Sequence, residues 1–180
     1  CALWDFECKK LDQRIWETAN IQKPEKNITA YTLSLDEPEN MFKQAEKNSN
    51  RPLLKIKLGT ANDMPRLEAV RKGAPSAEII VDANEGWSMH DLLTYTSELK
   101  ELNVVLIEQP LPAGEDQALI DFNSPIPLCA DESCHTRAEL DYLKGRYDVI
   151  NIKLDKTGGL TEAFKLAQKA QEQGFDIMLG

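Results

Sequence analysis

The stretch V-I-N-I-K-L-D-K-T-G-G, Val149 to Gly159, decides the architecture. Its alternation sends Ile150, Ile152 and Leu154 to one side and Asn151, Lys153 and Asp155 to the other, which is the period of a β-strand. An aliphatic strand face rests on helices, so the polar face lines either solvent or the interior of a closed sheet. The rest of the chain decides for the interior.

From Ile28 onward, strand and helix signals alternate without interruption. Strands are expected at Ile28–Leu35, Leu53–Leu58, Glu78–Asn84, Val104–Gln109, Pro127–Glu132, Val149–Leu154 and Phe175–Leu179. Helices are expected between them, at about Glu37–Asn48, Asp63–Gly73, Ser88–Leu102, Asp116–Asn123, Thr136–Leu143 and Leu160–Gln173. A further helix over Ala2–Ala19, with Leu3, Leu11 and Ile15 as one apolar stripe, precedes a polar connector, Asn20–Asn27. Seven strands separated by helices imply right-handed βαβ crossovers and a parallel sheet.

Such a sheet is either open and doubly wound or closed into a barrel. Central strands of the open form are apolar on both faces. Here Lys55 and Lys57 alternate with Leu54, Ile56 and Leu58, and Asp82 and Asn84 alternate with Val81 and Ala83. Glu108 stands against Ile107, and Asp131 against Ala130. One face of each strand thus turns polar near its C-terminal end, as in a barrel with a site at that rim. The expected fold is α/β, a TIM-like barrel. A complete barrel has eight strands and about 250 residues, so the chain reads as an incomplete one, about seven strands with the closing strand missing. Residues 1–27 read as a helix and connector leading from a missing N-terminal domain, and 28–180 as the barrel domain, truncated at its C-terminal end. With its end strands unpaired, this span alone is expected to be inactive and poorly behaved.

The chain has 180 residues, 42% hydrophobic and 28% charged, and a formal net charge of −9. That composition supports one sizeable core. The acidic balance, with no Lys/Arg cluster, argues against nucleic-acid binding. No run of about 18 apolar residues is present to span a membrane, and a cytoplasmic enzyme is expected. Cys1, Cys8, Cys129 and Cys134 form neither a C-x-x-C pair nor a disulfide scaffold, so reduced thiols are expected. His90 and His135 stand alone and read as surface or capping residues. Gly158-Gly159 reads as a tight βα turn rather than a phosphate cradle.

On an eight-stranded ring each strand lies about 45° on from the last. Lys57 on strand two then faces Lys153 on strand six, and Asp82, Glu108 and Asp131 occupy the arc between them. Three carboxylates without an interleaved arginine repel one another unless a cation joins them, and a hard oxygen set implies magnesium. This arrangement suits removal of a proton next to a carboxylate, with a divalent cation stabilising the resulting enediolate. A lysine in a partly dry, cation-rich pocket has its neutral form favoured and can act as the base. One lysine on each face allows the proton to leave one side and return on the other, giving racemisation or epimerisation. Singly, these residues have plainer roles: Asp82 could close a loop, Asp131, Glu132 and Ser133 could cap a helix, and Lys55 and Lys57 could snorkel. Together they would be five coincidences at equivalent strand ends.

The ordered motifs K-I-K (Lys55 to Lys57), V-D-A-N-E-G-W (Val81 to Trp87), I-E-Q-P (Ile107 to Pro110), A-D-E-S (Ala130 to Ser133) and N-I-K-L-D-K-T-G-G (Asn151 to Gly159) resemble the enolase superfamily. The resemblance is to its muconate-lactonizing-enzyme-like branch and most closely to dipeptide epimerases of the L-Ala-D/L-Glu type. It extends to A-L-W-D, Ala2 to Asp5, and so covers essentially the whole chain. It implies an enolase-type (β/α)7β barrel preceded by an α+β capping domain. It implies Asp82, Glu108 and Asp131 as ligands of one Mg2+ per active site, and Lys57 and Lys153 as the acid/base pair. Lys55 would hold the substrate carboxylate, with Asn84, Glu132 and Asp155 around these groups. The implied reaction is Mg-dependent epimerisation of Ala-Glu-type dipeptides from cell-wall turnover, acting on a small-molecule substrate with no nucleic-acid or membrane partner, and the resemblance is compatible with a homo-oligomer. The alternatives are cycloisomerisation, o-succinylbenzoate synthesis or N-acylamino-acid racemisation in the same branch, a Schiff-base aldolase using Lys153, and a non-catalytic binding barrel.

Overall fold

A computed structural model describes residues 1–61 and 63–180. Seven strands, β1 (Tyr31–Leu33), β2 (Leu53–Lys57), β3 (Glu78–Asp82), β4 (Val104–Glu108), β5 (Leu128–Ala130), β6 (Val149–Ile152) and β7 (Asp176–Leu179), form one sheet. Its order is β1-β2-β3-β4-β5-β6-β7, and every neighbouring pair is parallel. A doubly wound sheet reverses its strand order at a switch point, and this one does not. It is an open part of an α/β barrel.

Eight α-helices are described: α1 (Ala2–Leu11), α2 (Ile15–Thr18), α3 (Pro38–Lys47), α4 (Asp63–Gly73), α5 (Met89–Glu101), α6 (Leu140–Leu143), α7 (Leu154–Thr157) and α8 (Leu160–Glu172). Pro38 opens α3 at the position where a missing N–H costs nothing. Ser88 and Asp91 close a capping box at the start of α5. The core lies between the helices and the aliphatic strand faces. It joins Met41, Leu67, Val70, Leu92, Leu99, Leu140 and Leu166 to Leu54, Ile56, Ile79, Val81, Ile107, Leu128, Ile150 and Ile152.

One irregularity positions the site. Ile79 pairs with Val104 but Ile80 pairs with Leu106, so Val105 is an extra residue on β4. Without this bulge Asp82 would sit opposite Ile107. With it, Asp82 pairs with Glu108, and two carboxylates share one face.

Several expected elements take a different form. The expected helix Ala2–Ala19 is broken at Asp12, which adopts a left-handed conformation (φ 51°). Its stripe does not pack as one face, since Leu3 is 80% exposed and α1 buries no residue. Trp4 anchors α1 instead, donating to Thr161 Oγ1 at 2.9 Å and meeting the Phe164 ring edge-on. The first strand shrinks from Ile28–Leu35 to three residues, leaving Ile28 exposed. The expected helix Asp116–Asn123 is a 3-10 turn, Gln117–Asp121. The expected helix Thr136–Leu143 begins only at Leu140, because the Glu139 carboxylate takes the N–H groups of His135 and Thr136 and holds a loop. The sixth strand ends at Ile152, and α7, which sequence alternation hides, begins two residues later.

Candidate active site at the strand ends

Register places the polar side chains level by level. Lys57 pairs with Asp82 and Asp82 with Glu108, while Lys55 lies one layer deeper on the same face of β2. Cys129 pairs with Glu108, so Asp131, two residues on, projects from the same face of β5. Asn151 and Lys153 follow in the same way from β6. Asp82, Glu108, Asp131 and Asn151 are all buried.

Two carboxylates are each gripped by two ammonium groups. Asp82 Oδ2 lies 2.8 Å from Lys55 Nζ and 2.7 Å from Lys57 Nζ. Asp131 is paired with Lys153 through Oδ2 and with Lys156 through Oδ1, the latter at 2.6 Å. Glu108 stands between them, ion-paired with Lys55 and accepting from Asn151 Nδ2 at 2.9 Å. Lys57 also donates to Asn84 Oδ1, and Asn84 Nδ2 reaches Glu132 Oε1 at 3.2 Å.

Burial pushes the Glu108 carboxyl up to about 7, with the Asp82 charge adding and Lys55 offsetting only part. Burial acts the same way on Asp131, but its bonds from Lys153 and Lys156 outweigh it and hold that carboxyl below its ordinary value. Burial alone would lower Lys153; Asp131 and Glu108 instead raise it. Lys55 is raised for the same reason, by Glu108 and Asp82. For Lys153 this reverses the sequence-based expectation of a favoured neutral amine, because the neighbouring carboxylates outweigh desolvation and like charge.

The carboxylates do not form a ready metal cage. Among the described residues no three His, Cys, Asp or Glu side chains gather closely enough to hold an ion. Four lysine ammoniums interleave with the acids, so mutual repulsion alone does not demand a metal. The donor set nevertheless suits a hard cation, with three carboxylates on neighbouring strands. Among the described residues, Glu132 Oε2 and Asn151 Oδ1 are buried oxygens without a hydrogen-bond donor.

Of the sequence-derived residues, Lys55, Lys57, Asp82, Asn84, Glu108, Asp131, Glu132 and Lys153 come together at these strand ends. Asp155 does not. It is exposed in α7, and among the described residues its carboxylate accepts just the N–H of Lys156 next to it. Lys156 and Asn151 are the residues that sequence reading passed over. Asn151 was visible in the alternation of β6, whereas Lys156 comes into reach only through the turn of α7. A separate cleft of about 650 Å3 lies along α1 and α2, lined by Trp4, Cys8, Trp16 and Leu160, away from this chemistry. No helix among the described residues is long and apolar enough to cross a membrane.

Residues 40–180 match the model of the Enolase C-terminal domain-like family. The chain belongs to that family. The N-acetyl-D-glutamate racemase of a Pseudoalteromonas species is 53% identical over 180 residues, covering 100% of this chain and 57% of the relative. The L-Ala-D/L-Glu epimerase of Escherichia coli K12 is 47% identical over 182 residues, again covering 100% and 57%. Among solved structures, an enolase family member from Agrobacterium tumefaciens with homology to dipeptide epimerases, holding sodium and L-Ala-L-Glu, superposes with a TM-score of 0.96 at 51% identity. It is matched over 100% of this chain and 55% of its own. A dipeptide epimerase from Cytophaga hutchinsonii, complexed with Mg and D-Ala-L-Val, gives 0.93 at 28% identity, over 99% and 51%. The chain therefore spans a little over half the length of each of these four relatives.

Proposed function

We propose that the protein carrying this chain epimerises the α-carbon of a glutamate-type amino acid whose nitrogen is acylated, with an Ala-Glu dipeptide as the leading substrate. The observation that carries this reading is the flanking of Asp82, Glu108 and Asp131 by Lys57 on one side and Lys153 on the other. Each of the two lysines is about one-third exposed. N-acetylglutamate is a second candidate, favoured by the 53% relative. The two substrates share a glutamate with an amide nitrogen and differ in whether the acyl group carries an ammonium.

In this reading Lys57 and Lys153 approach the α-carbon from opposite faces. One takes the proton, the other returns it, and repeated turnover equilibrates the two configurations. Lys55 stays charged, held so by Glu108 and Asp82, and binds the substrate carboxylate. Asp82, Glu108 and Asp131 would hold one magnesium ion, whose chemistry is to stabilise the enediolate charge by several kcal/mol, roughly, as a Lewis acid. Oxygens of Asp131 committed to a cation would hold the Lys153 proton less tightly, which removes the cause of its raised proton affinity. Residues 1–27 would lead in from a capping domain and 28–180 would form most of the barrel. A Schiff-base role for Lys153 fits less well, since its ion pair with Asp131 favours the unreactive ammonium.

Proton NMR in heavy water tests this with the full-length protein, magnesium, L-Ala-L-Glu and N-acetyl-D-glutamate. Loss of one α-proton signal with appearance of the other configuration is expected, and Lys57→Ala and Lys153→Ala should each abolish interconversion. Full epimerisation by either variant would sink the two-base mechanism, and silence on both substrates would sink the substrate class.

A further inference from the structure

Behind the carboxylates lies a second buried polar cluster that the reaction above does not use. Gln109 follows β4 directly, is fully buried, and has the left-handed φ of 35°. Its Oε1 accepts from the backbone N–H groups of Asp131 at 2.9 Å and Ser133 at 3.0 Å. Its Nε2 faces Leu111 O at 2.8 Å, Ser133 Oγ at 2.8 Å and Tyr147 OH at 3.0 Å. Beyond those hydroxyls sits Asp116, also fully buried, whose Oδ2 takes Ser133 Oγ at 2.7 Å and Tyr147 OH at 2.8 Å. Its Oδ1 takes Tyr142 OH at 2.6 Å from the solvent side.

Only one polarity satisfies this cluster. A backbone N–H can only donate, so the amide oxygen of Gln109 must face Asp131 and Ser133. A carboxylate accepts, so the hydroxyls of Ser133 and Tyr147 turn their hydrogens to Asp116 and their lone pairs to the Gln109 NH2 group. The two ends agree, and a buried network in which every donor hydrogen finds an acceptor, the two of the Gln109 NH2 shared among three oxygens, is rigid. The strained backbone of Gln109 is what aims its side chain across the sheet to the next strand.

We propose that Gln109 is a positioning residue of the site: oriented by Asp116 through Ser133 and Tyr147, its amide clamps the backbone from which Asp131 projects. The inference rests on the reading of Asp131 as a magnesium ligand. The clamp fixes where the Asp131 carboxylate stands relative to Asp82 and Glu108, while the lysines on Asp131 set its charge.

Amide hydrogen exchange and magnesium titration of the full-length protein test this together. In Gln109→Met, exchange across residues 128–134 should quicken by about tenfold, the scale of a buried donor left unpaired, and magnesium should bind several-fold more weakly. Tyr142→Phe removes a bond to the same Asp116 carboxylate on the side away from Gln109. It should lower thermal stability while leaving both readouts within about twofold. Should Gln109→Met not fold, Tyr147→Phe is the gentler variant, with exchange expected to rise about fivefold. Unchanged exchange in the Gln109 variant, or equal changes in Tyr142→Phe, would overturn the clamp. Faster exchange with unchanged magnesium affinity would overturn its positioning role. Failure of the unsubstituted protein to bind magnesium would overturn the ligand reading itself, on which that role rests.

Discussion

Glu108→Gln isolates the most strongly perturbed acid of the site. In the folded chain burial and the Asp82 charge lift Glu108 from its ordinary 4.5 to about 7. Below 4.5 both folded and unfolded chains hold the proton, and Glu108 contributes no pH dependence. As pH rises through 4.5 the unfolded chain ionises while the folded chain keeps its proton, so stability falls until pH passes 7 and then levels. The full difference is worth roughly 3 kcal/mol, of which roughly 2 kcal/mol falls between pH 5 and 7.5. Urea unfolding of the full-length protein in EDTA should show Glu108→Gln gaining that roughly 2 kcal/mol relative to the unsubstituted protein over the same interval. Parallel pH profiles for the two proteins would refute the reasoning, because they would place the Glu108 carboxyl near its ordinary value. The same proton must leave before Glu108 can hold a cation, so magnesium affinity should rise with pH up to about 7.

Further substitutions have defined outcomes. Gly59→Ala would set a Cβ 2.1 Å from Ala83 O at a φ of +106°, and should cost about 3 kcal/mol or more in urea unfolding. Gly114→Ala, at φ +81° with nothing within 4 Å, should cost only about 1 kcal/mol. Lys156→Met would strip Asp131 Oδ1, Asp131 O and Asn151 O of a shared buried donor, and should cost about 3 kcal/mol against about 0.5 or less for the exposed Lys72→Met. Trp87→Phe removes the 2.8 Å bond from the indole N–H to the buried Asp63 carboxylate, which also holds the N–H groups of Gly59 and Thr60. It should lower the unfolding free energy by about 1–2 kcal/mol.

The sheet was legible because period-two alternation survives wherever one face packs on helices and the other carries the site. β2 is the plain case: Leu54 and Ile56 are buried while Lys55 and Lys57 are only partly so. The helices were less legible where polar side chains set the ends. Glu139 holds His135 and Thr136 in a loop that helical patterning could not separate from α6. The bulge at Val105 was hidden for another reason. Val104, Val105 and Leu106 are all aliphatic, so nothing in their order says which one steps out of register. The alternation nevertheless singles out Glu108, the acid at that strand end, and the bulge brings it level with Asp82.

Asp155 and Lys156 show how a change of period misleads. If the strand had continued past Ile152, Asp155 would share the face of Lys153 and Lys156 would oppose it. The chain instead turns into α7 at Leu154, and residues three apart then lie on one side. Lys156 thereby joins Lys153 on Asp131. This gives the two ends of the site the same construction, since Asp82 is held by Lys55 and Lys57 just as Asp131 is held by Lys156 and Lys153. In each pair one lysine is shielded, at 15% for Lys55 and 11% for Lys156, and the other is open, at 35% for Lys57 and 31% for Lys153. A lysine that gives up its proton leaves its carboxylate partner buried without compensation unless a second positive charge stays behind. The shielded lysine supplies that charge at both ends. Under the proposed two-lysine reading, either open lysine would exchange a proton with substrate while its carboxylate stays ionised, as epimerisation in both directions would require.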